Sequence, residues 1–312
     1  MALPYLEDFL LYLHTNNYSN ETIYNYELDL KSFDFFLQNE FDDIDFFKTN
    51  KRTIEQFKSY LVSRDRKTAN NQKSTKRLSG ASINRCLSSL RGYIRYLIEM
   101  DHKTPILPEH IKLVKMEKKH PRVAELELLI KLIETPSHYE KNKQVALRNR
   151  AMLEVLFSTG MRISELLNLK KNQIDQSGKI FIMGKGKKER FVYLTERAYE
   201  HLRNYLATRN DSLPYLFIPY SGKNNPKKDK KISPNYLQEK IKRYREYLGI
   251  NVPTSAHSLR HGFATYLAEQ GANPAAIQIL LGHESLNTTT RYVHASDRYA
   301  EKVHRQYHPL KK

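Results

Sequence analysis

The chain is short of cysteine and of acidic residues, and it has no long apolar run. A single cysteine, Cys86, among 312 residues excludes an intramolecular disulfide scaffold and any zinc or iron-sulfur centre built on several thiolates. Cys86 reads as a small buried helix residue. No apolar stretch approaches the roughly 18 residues that a membrane span requires. The N-terminus also shows no basic segment followed by an apolar core and a cleavage site, so a cytoplasmic protein with no membrane span is expected. Acidic residues number 34 against 52 lysines plus arginines, a formal net charge of +18. That much self-repulsion points to a polyanionic partner, either nucleic acid or an anionic membrane surface. No solenoid repeat is present.

The length accommodates two domains. Leu6, Phe9, Leu10 and Leu13 recur at helical spacing. After Asn16-Asn17 the pattern resumes with Ile23, Tyr26, Leu30, Phe33 and Leu37, and Ser19 is placed to cap this second helix. Ile54, Phe57 and Leu61 mark a third helix; Ile83, Leu87, Leu90, Ile94 and Leu97 mark a fourth. Between them, Arg64 to Arg77 carries six basic residues, Arg64, Arg66, Lys67, Lys73, Lys76 and Arg77, and one acidic residue. It reads either as a solvated loop or as a phosphate-contacting loop. Arg85, Arg91 and Arg95 add charge to the fourth helix. From Asp101 to about Arg122 the periodicity fades, prolines appear, and Lys103, Lys112, Lys115, Lys118 and Lys119 cluster, which predicts an interdomain linker able to lie along a polyanion. The expected division is a helical DNA-binding domain over residues 1–104, a linker over 105–123 and a second domain over 124–312.

In that second domain helices are expected around Leu126 to Ile133, Leu147 to Phe157, from near Ser164, Tyr236 to Leu248, Ser258 to Glu269, Asn273 to Leu281 and Asp297 to Gln306. The clear β signal is Lys179 to Leu194, where two strands flank Gly184-Lys185-Gly186-Lys187-Lys188. This run lacks the register of a Walker phosphate loop, so nucleotide binding is not expected. The fold class is mainly α with a small β-hairpin.

Phosphodiester chemistry without a metal needs cationic donors for the nonbridging oxygens, a nucleophile, and an acid for the leaving oxygen. Arg162 stands at a Gly-Met-Arg corner before an apolar helix, where a guanidinium could grip a phosphate. Lys185, with Lys187 and Lys188 as competitors, sits on the basic turn. His257-Ser-Leu-Arg260-His261 puts His257 and Arg260 on one helix face. His283 follows in Leu-Gly-His, and Tyr292 follows in Thr-Arg-Tyr-Val. A zinc site at His257, His261 and His283 would lack both the glutamate of HExxH and a convincing further ligand; no metal is expected.

Four runs taken together are identified as those of the tyrosine recombinase family, most like its prokaryotic Xer and phage-integrase type. They are Thr159-Gly-Met-Arg-Ile-Ser-Glu-Leu-Leu-Asn-Leu169, Gly184-Lys-Gly-Lys-Lys-Glu-Arg190, His257-Ser-Leu-Arg-His261, and Leu280-Leu-Gly-His-Glu-Ser-Leu-Asn-Thr-Thr-Thr-Arg-Tyr292. They occur in the family's order, and the helical N-terminal part resembles its core-binding (SAM-like) domain. The resemblance implies a catalytic set of Arg162, Lys185, His257, Arg260, His283 and the nucleophile Tyr292, with Glu165 and His261 in support. It further implies a C-shaped clamp on double-stranded DNA, with contacts from the basic loop, Arg85, Arg91, Arg95, Lys115, Lys118, Lys119, Lys187 and Lys188. Four protomers would join two sites through a Holliday junction, with no cofactor, and with a recombinase paralogue or accessory protein as a further partner. The tail after Tyr292, with Tyr299, Val303 and Tyr307, would form a helix able to pack on a neighbouring protomer. Two alternatives share parts of this reading: a type IB topoisomerase-like relaxing enzyme, and a non-catalytic architectural DNA-binding protein.

Overall fold

The computed structural model describes residues 3–39, 45–63, 77–116, 124–183, 189–220 and 231–282. By its internal contacts the chain forms two units, Met1–Lys119 and His120–Lys312. Among the described residues no helix is long and apolar enough to cross a membrane.

Among the described residues of the first unit are four α-helices: α1 (Leu6–Thr15), α2 (Asn20–Asn39), α3 (Lys51–Val62) and α4 (Gly80–Glu99). Their starts follow from capping chemistry, because side-chain oxygens satisfy amide groups that have no partner inside the helix. The Ser19 hydroxyl accepts from the Thr22 N–H at 3.2 Å, Asn50 accepts from Arg52 and Thr53, and Ser79 accepts from Ser82. The apolar stripes meet in a core of Phe9, Leu30, Phe33, Phe36, Phe57, Leu87 and Tyr93. Phe33 and Phe57 pack edge to face at 4.8 Å between centroids, an arrangement that adds to the burial itself.

A buried carboxylate in this unit is engaged from α4. The Asp29 carboxylate, on α2, takes the Cys86 thiol at 3.1 Å, the Ser89 hydroxyl at 2.8 Å and an Arg85 guanidinium at 3.0 Å, all from α4. Residues from the start of the expected linker are fastened along α4. Ile106 and Ile111 are buried in the same core, Arg91 donates to the Ile111 carbonyl, and Asn84 exchanges two hydrogen bonds with the backbone of Val114.

The second unit contains α5 (Leu126–Glu134), α6 (Pro136–Tyr139), α7 (Lys143–Thr159), α8 (Ile163–Asn168), β1 (Lys179–Met183), β2 (Glu189–Tyr193), α9 (Glu196–Leu206), α10 (Pro234–Tyr247), α11 (Ala256–Glu269) and α12 (Pro274–Leu281). Helix α7 is the axis, packed by α6, α9 and α11. A helix enclosed this way buries even its polar residues: Arg150 and Glu154 pair within α7, and Arg197 of α9 reaches the same Glu154 at 2.8 Å. Strands β1 and β2 are antiparallel, with Lys179 opposite Tyr193 and Phe181 opposite Phe191. The two-residue alternation turns Ile180, Ile182, Arg190 and Val192 inward. Only one of these four is charged.

Helix α12 has eight residues and buries Ile277 and Leu281 against Ala264 and Ala268 of α11. A helix this short is not stable by itself. Its orientation must therefore come from packing and from whatever binds its ends.

Candidate active site

Three chain features converge on the C-terminal end of α12. The first is the corner after α7, where Gly160 adopts φ 61° and ends the helix. A methyl group in place of a hydrogen there would lie 2.4 Å from Cδ1 of Phe263, so the corner needs glycine both for its left-handed backbone and for its close contact. This turn delivers Arg162 to the N-cap of α8. The second is α11, capped by Ser255 accepting from Ser258, which carries His257 and Arg260 in its first turns. The third is the returning hairpin strand with Arg190.

The last carbonyls of α12 have no partners within the helix and carry its negative dipole end. Those of Leu280 and Leu281, and that of the C-cap Gly282 just beyond, each receive a guanidinium. Arg190 donates from Nε to the Leu280 carbonyl at 2.9 Å, Arg260 from Nη2 to that of Leu281 at 2.7 Å, and Arg162 from Nη2 to that of Gly282 at 3.3 Å. Arg260 also donates from Nη1 to the Gly160 carbonyl at 2.7 Å. It is 3% exposed, so its guanidinium plane is fixed by two backbone oxygens from distant parts of the chain. The Arg162 side chain is 37% exposed and lies at the open side of the group.

Glu165 is the counter-charge. Its carboxylate takes Arg162 Nη1 at 2.9 Å and the Arg162 backbone N–H at 2.7 Å, and it takes both terminal nitrogens of Arg190 at 3.0 and 2.7 Å. Burial alone would raise its pKa, but the Arg190 guanidinium and the Arg162 donors outweigh that and hold it below the usual carboxylate range. One carboxylate thus serves two arginines, with a third nearby. The local balance stays positive.

His257 as a whole residue is exposed, yet the packing on its inner side desolvates the imidazole. That burial first, and then the charges of Arg260 and Arg162, lower its pKa from the ordinary value. The ring is therefore neutral near pH 7 and able to accept a proton. It meets the His261 ring edge to face at 4.4 Å between centroids.

Arg162, Glu165, His257, Arg260 and His261 are thus brought to one place. Lys185, Lys187, Lys188, His283 and Tyr292 lie outside the described residues, although Gly282, which closes the cluster, is followed directly by His283. Of the residues expected on DNA, Arg77, Arg95 and Lys115 are exposed. Arg85 and Arg91 are engaged with Asp29 and with Ile111. Arg64, Arg66, Lys67, Lys73, Lys76, Lys118 and Lys119 lie outside the described residues. Arg190 is the site residue that the motif reading left without a role. Its signal was available, since it occupies an inward phase of β2 where an apolar residue is the rule.

This geometry agrees with what the chain resembles. Residues 122–298 match the phage integrase family. The chain belongs to that family. Residues 6–100 match the N-terminal SAM-like domain of phage integrases. The chain is 31% identical to the tyrosine recombinase XerD of Staphylococcus epidermidis, over 97% of this chain and 98% of that protein. It is 32% identical to the tyrosine recombinase XerC of Leptospira interrogans, over 96% and 92%. Among solved structures it is similar to the XerH site-specific recombinase in a post-cleavage complex with its palindromic difH substrate, with a TM-score of 0.70 and 25% identity over 90% of this chain and 78% of that one. This phage integrase family member is a tyrosine-type site-specific recombinase, an enzyme that cleaves and rejoins DNA strands. The relaxing-enzyme and architectural alternatives are not favoured.

Proposed function

We propose that Tyr292 is the nucleophile and that the arginine cluster at the end of α12 is the phosphate site. The observation that carries this is the convergence of Arg162 and Arg260 on the Gly160 and Leu281–Gly282 carbonyls, with His257 held neutral beside them. In the first step the Tyr292 oxygen forms a bond to phosphorus, the bond from phosphorus to the 5′ oxygen breaks, and a 3′-phosphotyrosyl link results. The phenol's reference pKa is about 10, so its proton must leave as attack develops, and neutral His257 accepts it. Arg162 and Arg260 take the two nonbridging oxygens and stabilise the added charge of the pentacoordinate transition state. Their preorganisation by backbone carbonyls and Glu165 means that little reorganisation is needed at the moment of reaction. His283 donates to the same phosphate, and Lys185 protonates the departing 5′ oxygen. Attack by the partner strand's 5′ hydroxyl then reverses these steps on the phosphotyrosine, so the bond energy is conserved.

At the level of assembly, residues 1–104 form the core-binding domain and residues 124–312 the catalytic domain, joined by residues 105–123. The basic loop, Arg77, Arg95 and Lys115 lie along DNA phosphates, whose contacts give position rather than sequence. Four protomers bring two paired half-sites together through a Holliday junction, with the tail beyond Tyr292 joining neighbours. The likeness to XerC and XerD supports a cytoplasmic, Xer-type role in resolving chromosome dimers for partition at cell division, aided by a paralogue or accessory protein; integration or excision of a mobile element is the same chemistry on other sites.

The test is incubation with nicked, labelled duplexes carrying chromosomal or mobile-element recombination sites, in EDTA, beside Tyr292→Phe. A protease-sensitive adduct on a denaturing gel, formed by the wild-type chain and absent from the variant, is expected. Tight duplex binding with equal behaviour of both proteins would overturn the proposal.

A further inference from the structure

Arg190 is buried on β2, with 7% of its side chain exposed, and among the described residues its hydrogen bonds go to the phosphate site proposed above. Its two terminal nitrogens chelate Glu165, and its Nε holds the Leu280 carbonyl. The guanidinium also lies against Gly282: a Cβ at that residue would stand 2.9 Å from Arg190 Nη1 and 3.1 Å from its Cδ. Gly282, with φ 64°, is therefore glycine for contact as well as for conformation.

Glu165 has four donor contacts, two from Arg162 and two from Arg190. Without Arg190, the carboxylate would be left to Arg162 alone. An exposed guanidinium paired one to one with a carboxylate is a poorer phosphate ligand, both because its charge is matched and because it is free to follow the carboxylate. With Arg190 in place, the carboxylate is shared and its position is set by β2 and by α12.

We infer that Arg190 is a positioning residue for DNA cleavage: through Glu165 it orients Arg162 toward the scissile phosphate and keeps that guanidinium's charge available. It touches no substrate in this account. The inference rests on the reading of Arg162 as a phosphate ligand.

The test separates this role from mere stability by removing charge from the phosphate. A duplex site selected by the wild-type chain from a randomised library is prepared with an ordinary scissile phosphate and with a methylphosphonate there, which replaces one charged nonbridging oxygen with a neutral methyl. Single-turnover release of the 5′-hydroxyl strand is measured, so that adduct and any hydrolysed product are both counted. On the ordinary phosphate, Arg190→Gln is expected to cleave about 10²-fold more slowly than wild type, the scale of a misplaced catalytic group, while duplex affinity is retained. On the methylphosphonate the ratio of wild type to variant should fall toward one, as it should for Arg162→Gln. Arg190→Lys, which keeps the charge but loses the fork that chelates Glu165, should be intermediate.

Glu165→Gln provides the same comparison if Arg190→Gln does not fold, and the double variant should be no slower than the slower single one, since both act through one link. A defect of equal size on both substrates, or cleavage by Arg190→Gln at the wild-type rate, overturns the inference while leaving the proposed function standing. Failure of the wild-type chain to cleave the ordinary site in a Tyr292-dependent way overturns both.

Discussion

Replacement of Gly160 by alanine tests the corner on which the site is built. Two costs are separable. Holding an L residue at φ 61° costs roughly 1–2 kcal/mol. The new methyl would also meet Cδ1 and Cε1 of Phe263 at 2.4 and 2.7 Å, and relieving such overpacking costs roughly 1–3 kcal/mol. A total of about 3 kcal/mol in the second unit would lower its Tm by roughly 6–12 °C. Gly249 is the internal control: its φ is 65°, but nothing lies within 4 Å of where a methyl would sit. Gly249→Ala should therefore show the backbone cost alone, about 1–2 kcal/mol. Urea unfolding of both variants gives the contact cost by difference. Adding Phe263→Leu to Gly160→Ala should recover part of it, read as a coupling energy between the two substitutions. If Gly160→Ala loses no more stability than Gly249→Ala, the close approach of α7 and α11 at this corner is wrong. The placement of Arg260 on the Gly160 carbonyl would fall with it.

Three further outcomes are expected. His257, followed by NMR of histidine-labelled protein, should titrate below its ordinary value of 6.5, and its midpoint should rise in Arg162→Gln, which removes one of the cations that depress it; an unmoved midpoint contradicts the assigned cause. Because the native value is the lower one, the unfolded chain takes up this proton first, so the His257 contribution opposes stability as pH falls below 6.5 and is absent above it. Cys86, whose thiol burial and the Asp29 carboxylate push up to about 12, should resist a thiol-disulfide reagent at pH 8 in the native protein and react at once in urea; rapid stoichiometric reaction of the native chain would refute its placement. Tyr244 donates to Glu140 at 2.5 Å and accepts from Asn149 at 2.8 Å, so Tyr244→Phe should destabilise by about 1–2 kcal/mol in urea melts, and no change would show that Asn149 and Glu140 satisfy each other without it.

Much of this fold is legible in one dimension because its elements obey simple periodicities. The helices from Leu6 to Glu99 follow apolar spacing near 3.6, and strands β1 and β2 follow period two. Helix α9 is harder to see, since Ala198, Leu202 and Tyr205 are its only buried residues and the rest of its surface is polar. Periodicity also says nothing of Arg148, Arg150 and Glu154, which are buried in α7 because their partners Tyr236, Arg197 and Glu134 arrive from elsewhere in the chain. At the site, Arg162, His257 and Arg260 were identifiable from their motifs. What the motifs could not convey is how the two arginines are held, by main-chain carbonyls of Gly160, Leu281 and Gly282. A carbonyl is common to every residue, so no side-chain pattern marks it; the two glycines that permit those turns are its only trace.

The central claim is that the strand break passes through the Tyr292 oxygen. Adduct formed on a nicked recombination site should be digested with protease and nuclease, and the nucleotide-linked peptide sequenced by mass spectrometry. The account predicts a 3′-phosphonucleotide on Tyr292 and none on Tyr299 or Tyr307. A nucleotide carried by another residue, or a strand break with no linked peptide, would contradict it.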